Sequence, residues 1–165
     1  MKKLATRTVQ FPLVAEFVIK HNEWVVDAVA GSKKTFGSTV ALSTDPAETG
    51  LTSGKNSTVT FDAIPMPIGA TIVQGEVIVG TAFVGSTAAL SVGIAGNTAV
   101  YVSALDVAAT PSAAFAVTTT VPLASNNGQN IRLSLALGNG DFTAGEVRVR
   151  VMYTIDNRAS EVVIA

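Results

Sequence analysis

Residues 146–155 read Glu-Val-Arg-Val-Arg-Val-Met-Tyr-Thr-Ile. Val147, Val149, Val151, Tyr153 and Ile155 fall on one side of an extended chain, and Arg148, Arg150 and Thr154 on the other. Successive side chains of a strand point to opposite faces, so this period of two predicts a half-buried β-strand. Just upstream, residues 130–137 place Ile131, Leu133, Leu135 and Leu137 on one face in the same way. Between the two runs lies Gly138-Asn139-Gly140-Asp141, a cluster of residues that tolerate positive φ. The pattern predicts an antiparallel pair joined by a loop.

The same alternation recurs along the chain. Thr58–Ile64 sets Val59, Phe61 and Ala63 against Thr58, Thr60 and Asp62. Residues 71–83 carry Val73, Val77, Val79 and Phe83 in phase, with Gly75 marking a bulge or the close approach of another backbone. Residues 89–94 give Leu90, Val92 and Ile94, and residues 114–123 are rich in threonine and valine. Residues 98–106 fit either a strand or a short helix. Residues 11–30 hold two strands around His21-Asn22-Glu23. Helical periodicity over ten residues is nowhere present. Short strands punctuated by Gly, Pro and Asn predict an all-β sandwich or barrel.

Residues 31–56 differ in composition, being rich in Gly, Ser, Thr and Lys. They read as a long loop with at most a short strand around 38–42, and loops of that length carry function or reach a neighbour. The expected organisation is an N-terminal arm at 1–10 and a single β-sandwich domain at 11–165, interrupted by the 31–56 loop.

The 165 residues suit one domain with a real core. Charged residues make up 14%, against ~25% in an average domain. Net charge is −1, so there is no basic surplus to neutralise phosphates, which argues against a nucleic-acid partner. Polar residues follow the first lysines at once, which predicts no secretion signal. No run approaches the ~18–20 apolar residues of a membrane span. Mean hydropathy is nonetheless positive, which predicts that apolar surface is covered by something besides the chain's own fold.

The reactive groups are few. With no cysteine there is no disulfide, thiolate metal site or cysteine nucleophile. His21 is the single histidine, and no Gly-x-Ser-x-Gly elbow surrounds any serine. His21 therefore reads as a solvated turn residue, not a catalytic base. Asp45, Glu48, Asp62 and Glu76 show no calcium-loop spacing and read as scattered surface acids. Asn126-Asn127-Gly128 reads as turn chemistry. A carbohydrate-binding module would expose several aromatic platforms, and only Trp24, Tyr101 and Tyr153 are available. Lys33-Lys34 reads as a solvated loop tip or an anchor for an acidic patch on a partner. The sequence thus predicts no catalytic residue, no cofactor, no metal and no small-molecule substrate.

The run Ile64-Pro65-Met66-Pro67-Ile68-Gly69-Ala70 is followed by Thr81-Ala82-Phe83 and Leu90-Ser91-Val92-Gly93, then by Thr143-Ala144-Gly145-Glu146 and Arg158-Ala159. From about residue 64 to 162 this series resembles small virion structural proteins of tailed bacteriophages. The resemblance implies a jelly-roll-like antiparallel β-sandwich with little or no helix. It also implies a capsid decoration (cement) protein, often a homotrimer, that binds the major capsid protein on the outside of the phage head. Lys2, Lys3, Arg7, Lys33, Lys34 and Trp24 are the candidate partner contacts. A neck, tail or fibre-base subunit of the virion and a carbohydrate-binding sandwich are the alternatives.

Overall fold

The computed structural model describes residues 12–29, 31, 33–37, 58–85, 88–117, 129–137 and 141–155. They form ten strands and, among the described residues, no helix: β1 (Leu13–Lys20), β2 (Trp24–Val26), β3 (Lys33–Thr35), β4 (Thr58–Ile64), β5 (Ala70–Val84), β6 (Ala88–Ile94), β7 (Asn97–Asp106), β8 (Ser112–Ala114), β9 (Ile131–Leu137) and β10 (Ala144–Ile155). Two four-stranded antiparallel sheets, ordered β1-β10-β5-β8 and β4-β9-β6-β7, pack as a sandwich, and β2-β3 forms a separate hairpin. The all-β sandwich expected from the alternation is therefore present. With the hairpin set aside, first pairs with last throughout: β1 with β10, β4 with β9, β5 with β8, β6 with β7.

The alternating valines and leucines supply the core. Val147, Val149 and Val151 of β10 and Leu133 and Leu135 of β9 are fully buried. β9 and β10 spend every second residue on the interior because both sheets turn one face inward. Aromatic rings close the two sides of the sandwich where the sheets end. On the β1–β4 side, Phe17 meets Phe61 at 5.7 Å, and Phe36, just after β3, packs edge-on against both Phe61 and Phe83. On the β7–β8 side, Tyr101 stacks on Phe115 at 5.0 Å. The Tyr101 hydroxyl is buried and has no hydrogen-bond partner among the described residues, and burial raises its pKa.

Four expectations are corrected. First, β9 and β10 are not paired; they lie in different sheets. Both have one apolar face, and alternation specifies a strand without specifying its neighbour. Second, Val73 is exposed and Ile72 is buried. The pairing of β10 with β5 slips by one residue between Met152↔Gln74 and Tyr153↔Ile72, so Val73 is the extra residue of a bulge. Gly75 lies beyond it, where the Phe115 ring occupies the space a Cβ would need. Third, of the stretch read at 114–123 only Ala114 is in a strand among the described residues, as the end of the three-residue β8, and 115–117 are not. Residues 118–123 lie outside the described ones. Fourth, Lys33–Thr35 is a strand within the span read as loop; the strand expected around 38–42 lies outside the described residues. Thr60 keeps the face expected of it, opposite to that of Val59 and Phe61, and is buried there; its hydroxyl shares a hydrogen bond of 3.0 Å with that of Ser134. Residues 97–106, ambiguous in sequence, are strand β7.

The turn between β4 and β5 shows why Gly69 stands there. Ala70 N–H donates to the Pro67 carbonyl at 3.1 Å, which closes the turn with Gly69 at φ 77°. A side chain there would be strained.

Candidate interaction surface

The β2–β3 hairpin carries three of the candidate contacts, Trp24, Lys33 and Lys34. Trp24 and Val26 face solvent at 60% and 52% exposure, while Val25 between them is buried. Lys33 opposes Val26 across the hairpin, and its ammonium lies 4.9 Å from the Trp24 ring centroid. This cation–π contact on an exposed site contributes about 0.5–1 kcal/mol. It holds an aromatic surface and a positive charge side by side.

Lys34 does the opposite. It is not on a solvated loop tip: it sits on β3 with its side chain inward and 7% exposed. Its Nζ lies 2.9 Å from Asp27 Oδ2, and Asp27 is itself buried. Strand alternation sends neighbouring lysines to opposite faces, and the inward one requires a buried counter-charge. Asp27 also accepts the Val29 N–H through Oδ1 at 2.9 Å and the Thr60 N–H through Oδ2 at 3.2 Å. The Ala28 N–H donates to the Thr60 carbonyl at 2.6 Å. The hairpin is thus tied to β4, and the positive charge of Lys34 is spent inside the protein.

Between the hairpin and the β1–β4 side lies an open groove of about 450 Å³, lined by Phe17, Trp24, Val25, Val26, Ala28, Phe61 and Asp62. Val29, next in sequence to Ala28, is 81% exposed.

The outer face of the first sheet carries an ion-pair row that the sequence did not reveal as a unit. Glu16, Arg150 and Glu76 stand directly opposite one another on β1, β10 and β5. Arg150 donates to Glu16 at 2.9 and 3.0 Å and to Glu76 at 3.1 Å, and Arg148 lies 3.7 Å from Glu16. All four side chains are more than a third exposed, so each pair adds little stability. The row keeps the charges of this face mutually neutralised. On β1, Val14 and Val18 flank Glu16 on the same face and are exposed.

On the second sheet, Asp62 accepts hydrogen bonds from Arg132 at 2.6 Å and Asn130 at 3.0 Å. Partial burial acts to raise the Asp62 pKa, but these two hydrogen bonds and the Arg132 charge outweigh it and hold the carboxyl below its ordinary value. A depressed folded-state pKa adds stability above the unfolded value, about pH 4, and loses it as pH falls through the folded value. Arg132→Gln is expected to move the Asp62 titration upward and to remove part of this acid resistance. Carboxyl-carbon NMR titration of wild type and variant measures it; an unmoved Asp62 would contradict the assignment.

His21 lies in the β1–β2 turn. Its N–H donates to Gly145 and its carbonyl accepts from Gly37, at 2.9 and 2.7 Å. Among the described residues no group of three His, Cys, Asp or Glu side chains is placed to hold a metal. Lys2, Lys3 and Arg7 lie outside the described residues. The structure therefore brings Trp24 and Lys33 together and separates Lys34 from them.

No family model matches the chain, and no curated protein matches it. Among solved structures, a chain of the cyanophage Pam1 capsid asymmetric unit is similar over 94% of both chains, with a TM-score of 0.51 and 19% identity. At that identity the likeness is one of fold.

Proposed function

We propose that this chain is a non-enzymatic structural protein of a phage virion. In the sharper form of the proposal it is a decoration protein that binds the outside of the head and stabilises contacts between major capsid subunits. The observation that carries the reading is the end-to-end likeness to a chain of a phage capsid asymmetric unit, with neither protein left over by more than a small share. The virion-like motifs between Ile64 and Arg158 point the same way by an independent route. The nested pairing of first strand with last is that of a chain rolled up from one long hairpin, which supports the jelly-roll description.

The mechanism is mechanical. A subunit that covers ~800 Å² of a shell protein makes a contact of ordinary size. Several linked subunits release only when all contacts open together, so avidity converts modest affinities into a durable clamp. The exposed Trp24, with Lys33 beside it and the groove behind, supplies an aromatic anchor of the kind that dominates interface energies. The 1–10 arm and a three-fold association of copies belong to the same proposal.

The test is binding to expanded capsids lacking decoration. The purified protein is expected to co-sediment with them at a fixed ratio and to raise the temperature at which they break. Trp24→Ala is expected to weaken co-sedimentation at least tenfold. Absence of binding to heads, together with binding to tails or to glycans, would overturn the reading.

A further inference from the structure

We infer that β1 is an association edge, through which two copies of this chain pair antiparallel, β1 against β1, to continue one sheet across a two-fold axis. The sandwich has four edge strands: β1 and β8 in one sheet, β4 and β7 in the other. Three of them carry the devices by which proteins prevent edge pairing. β8 is three residues long. β4 pairs irregularly with β9 around Asp62 and Ile64, and its Thr60 is occupied by Ala28 and Asp27. β7 is broken by two register shifts and a left-handed Ala104, and its Tyr101 carbonyl accepts the Ala116 N–H. β1 has none of these before Lys20, its last residue. It runs eight residues against β10 without a register shift, it contains no proline, and no described strand lies on its other side.

The backbone on that side can be read from the turn. The His21 N–H faces β10, where it donates to Gly145. Antiparallel alternation then directs the odd-numbered residues of β1 toward β10 and the even-numbered ones outward. The outward groups of Lys20 are taken by Glu23: the Lys20 N–H donates to its Oε2 at 2.9 Å, and the Lys20 carbonyl accepts its N–H at 3.1 Å. Val14, Glu16 and Val18 remain, with their N–H and C=O groups along the edge.

A second copy fits this edge. With Glu16 on the axis, Val14 meets Val18 of the other copy twice, and the three outward residues form about six backbone hydrogen bonds. On the inner face Ala15 meets Phe17 and Leu13 meets Ile19, each a pairing of apolar side chains. The two Glu16 carboxylates approach one another already neutralised, since each carries Arg150 and Arg148. A head-to-tail ring would need a second open edge, and the described residues offer none, so the contact is isologous. Val14 and Val18, 58% and 37% exposed, are covered in the pair.

The test is the native mass of the purified full chain, measured without capsids and so independent of the virion reading. The wild type is expected to contain an even number of chains: two, or six where a three-fold contact also forms. Val18→Pro removes an outward N–H that makes no bond among the described residues, and Val18→Lys places a charge on the edge. Both are expected to halve the assembly mass with unchanged circular dichroism. An odd number of chains in the wild type, or an assembly that Val18→Lys leaves intact, overturns the inference.

Discussion

Replacing Asp27 with alanine is expected to destabilise the fold by about 3–5 kcal/mol, the usual cost of leaving one member of a buried ion pair without its counter-charge. Lys34 would stay inside with its Nζ unpaired, since β3 holds it on the inward face. The Val29 and Thr60 N–H groups would lose an acceptor as well. Lys34→Met in the same background is expected to recover part of the loss, because it removes the orphaned charge while keeping the stem's volume. The recovery is expected to be incomplete, since the two N–H groups remain unsatisfied. Urea unfolding of the two single variants and the double variant measures each leg of the cycle. A double variant no more stable than Asp27→Ala would show that the lysine charge is not what makes the aspartate necessary.

Phe36→Ala is expected to cost about 3–5 kcal/mol, as large-to-small changes at buried aromatics do. Phe36 is fully buried, and its ring stands edge-on to Phe61 at 5.5 Å and to Phe83 at 5.9 Å. Those two rings come from different sheets, so Phe36 ties the hairpin to both. Phe36→Leu keeps most of the volume and is expected to cost under about 1.5 kcal/mol. Hydrogen exchange adds a spatial check: the alanine variant is expected to lose protection at Val25 and Thr35 in the hairpin before it loses any at Val149. Equal loss at all three positions would mean that the hairpin is no separate unit. Asp27 and Phe36 thus hold the same hairpin by two different means, and the hairpin in turn holds Trp24 and Lys33 in place.

The hairpin is also where sequence reading and structure part company. The doublet Lys33-Lys34 looks like two equivalent surface charges as long as the backbone is taken for a loop. Once it is a strand, alternation makes one lysine a neighbour of Trp24 and the other a buried partner of Asp27. The signal for this was faint: a three-residue strand offers one alternation, too little for a period to register. The Glu16–Arg150–Glu76 row escaped for another reason. Its members are separated by sixty residues or more, and only the register of β1, β10 and β5 sets them opposite one another.

From its residues alone this chain is an all-β sandwich with most of its core named: the period of two states which side chains face inward, whatever strand lies alongside. Burial of every second residue is a local consequence of the extended backbone. Which strands are neighbours was decided only in three dimensions. β9 and β10 follow one another in the chain and separate into different sheets, because hydrogen bonding between strands is blind to sequence distance and is satisfied equally well by several partners. The bulge at Val73, the inward turn of Lys34 and the open edge of β1 all follow from those partners, so each became visible only with the tertiary structure.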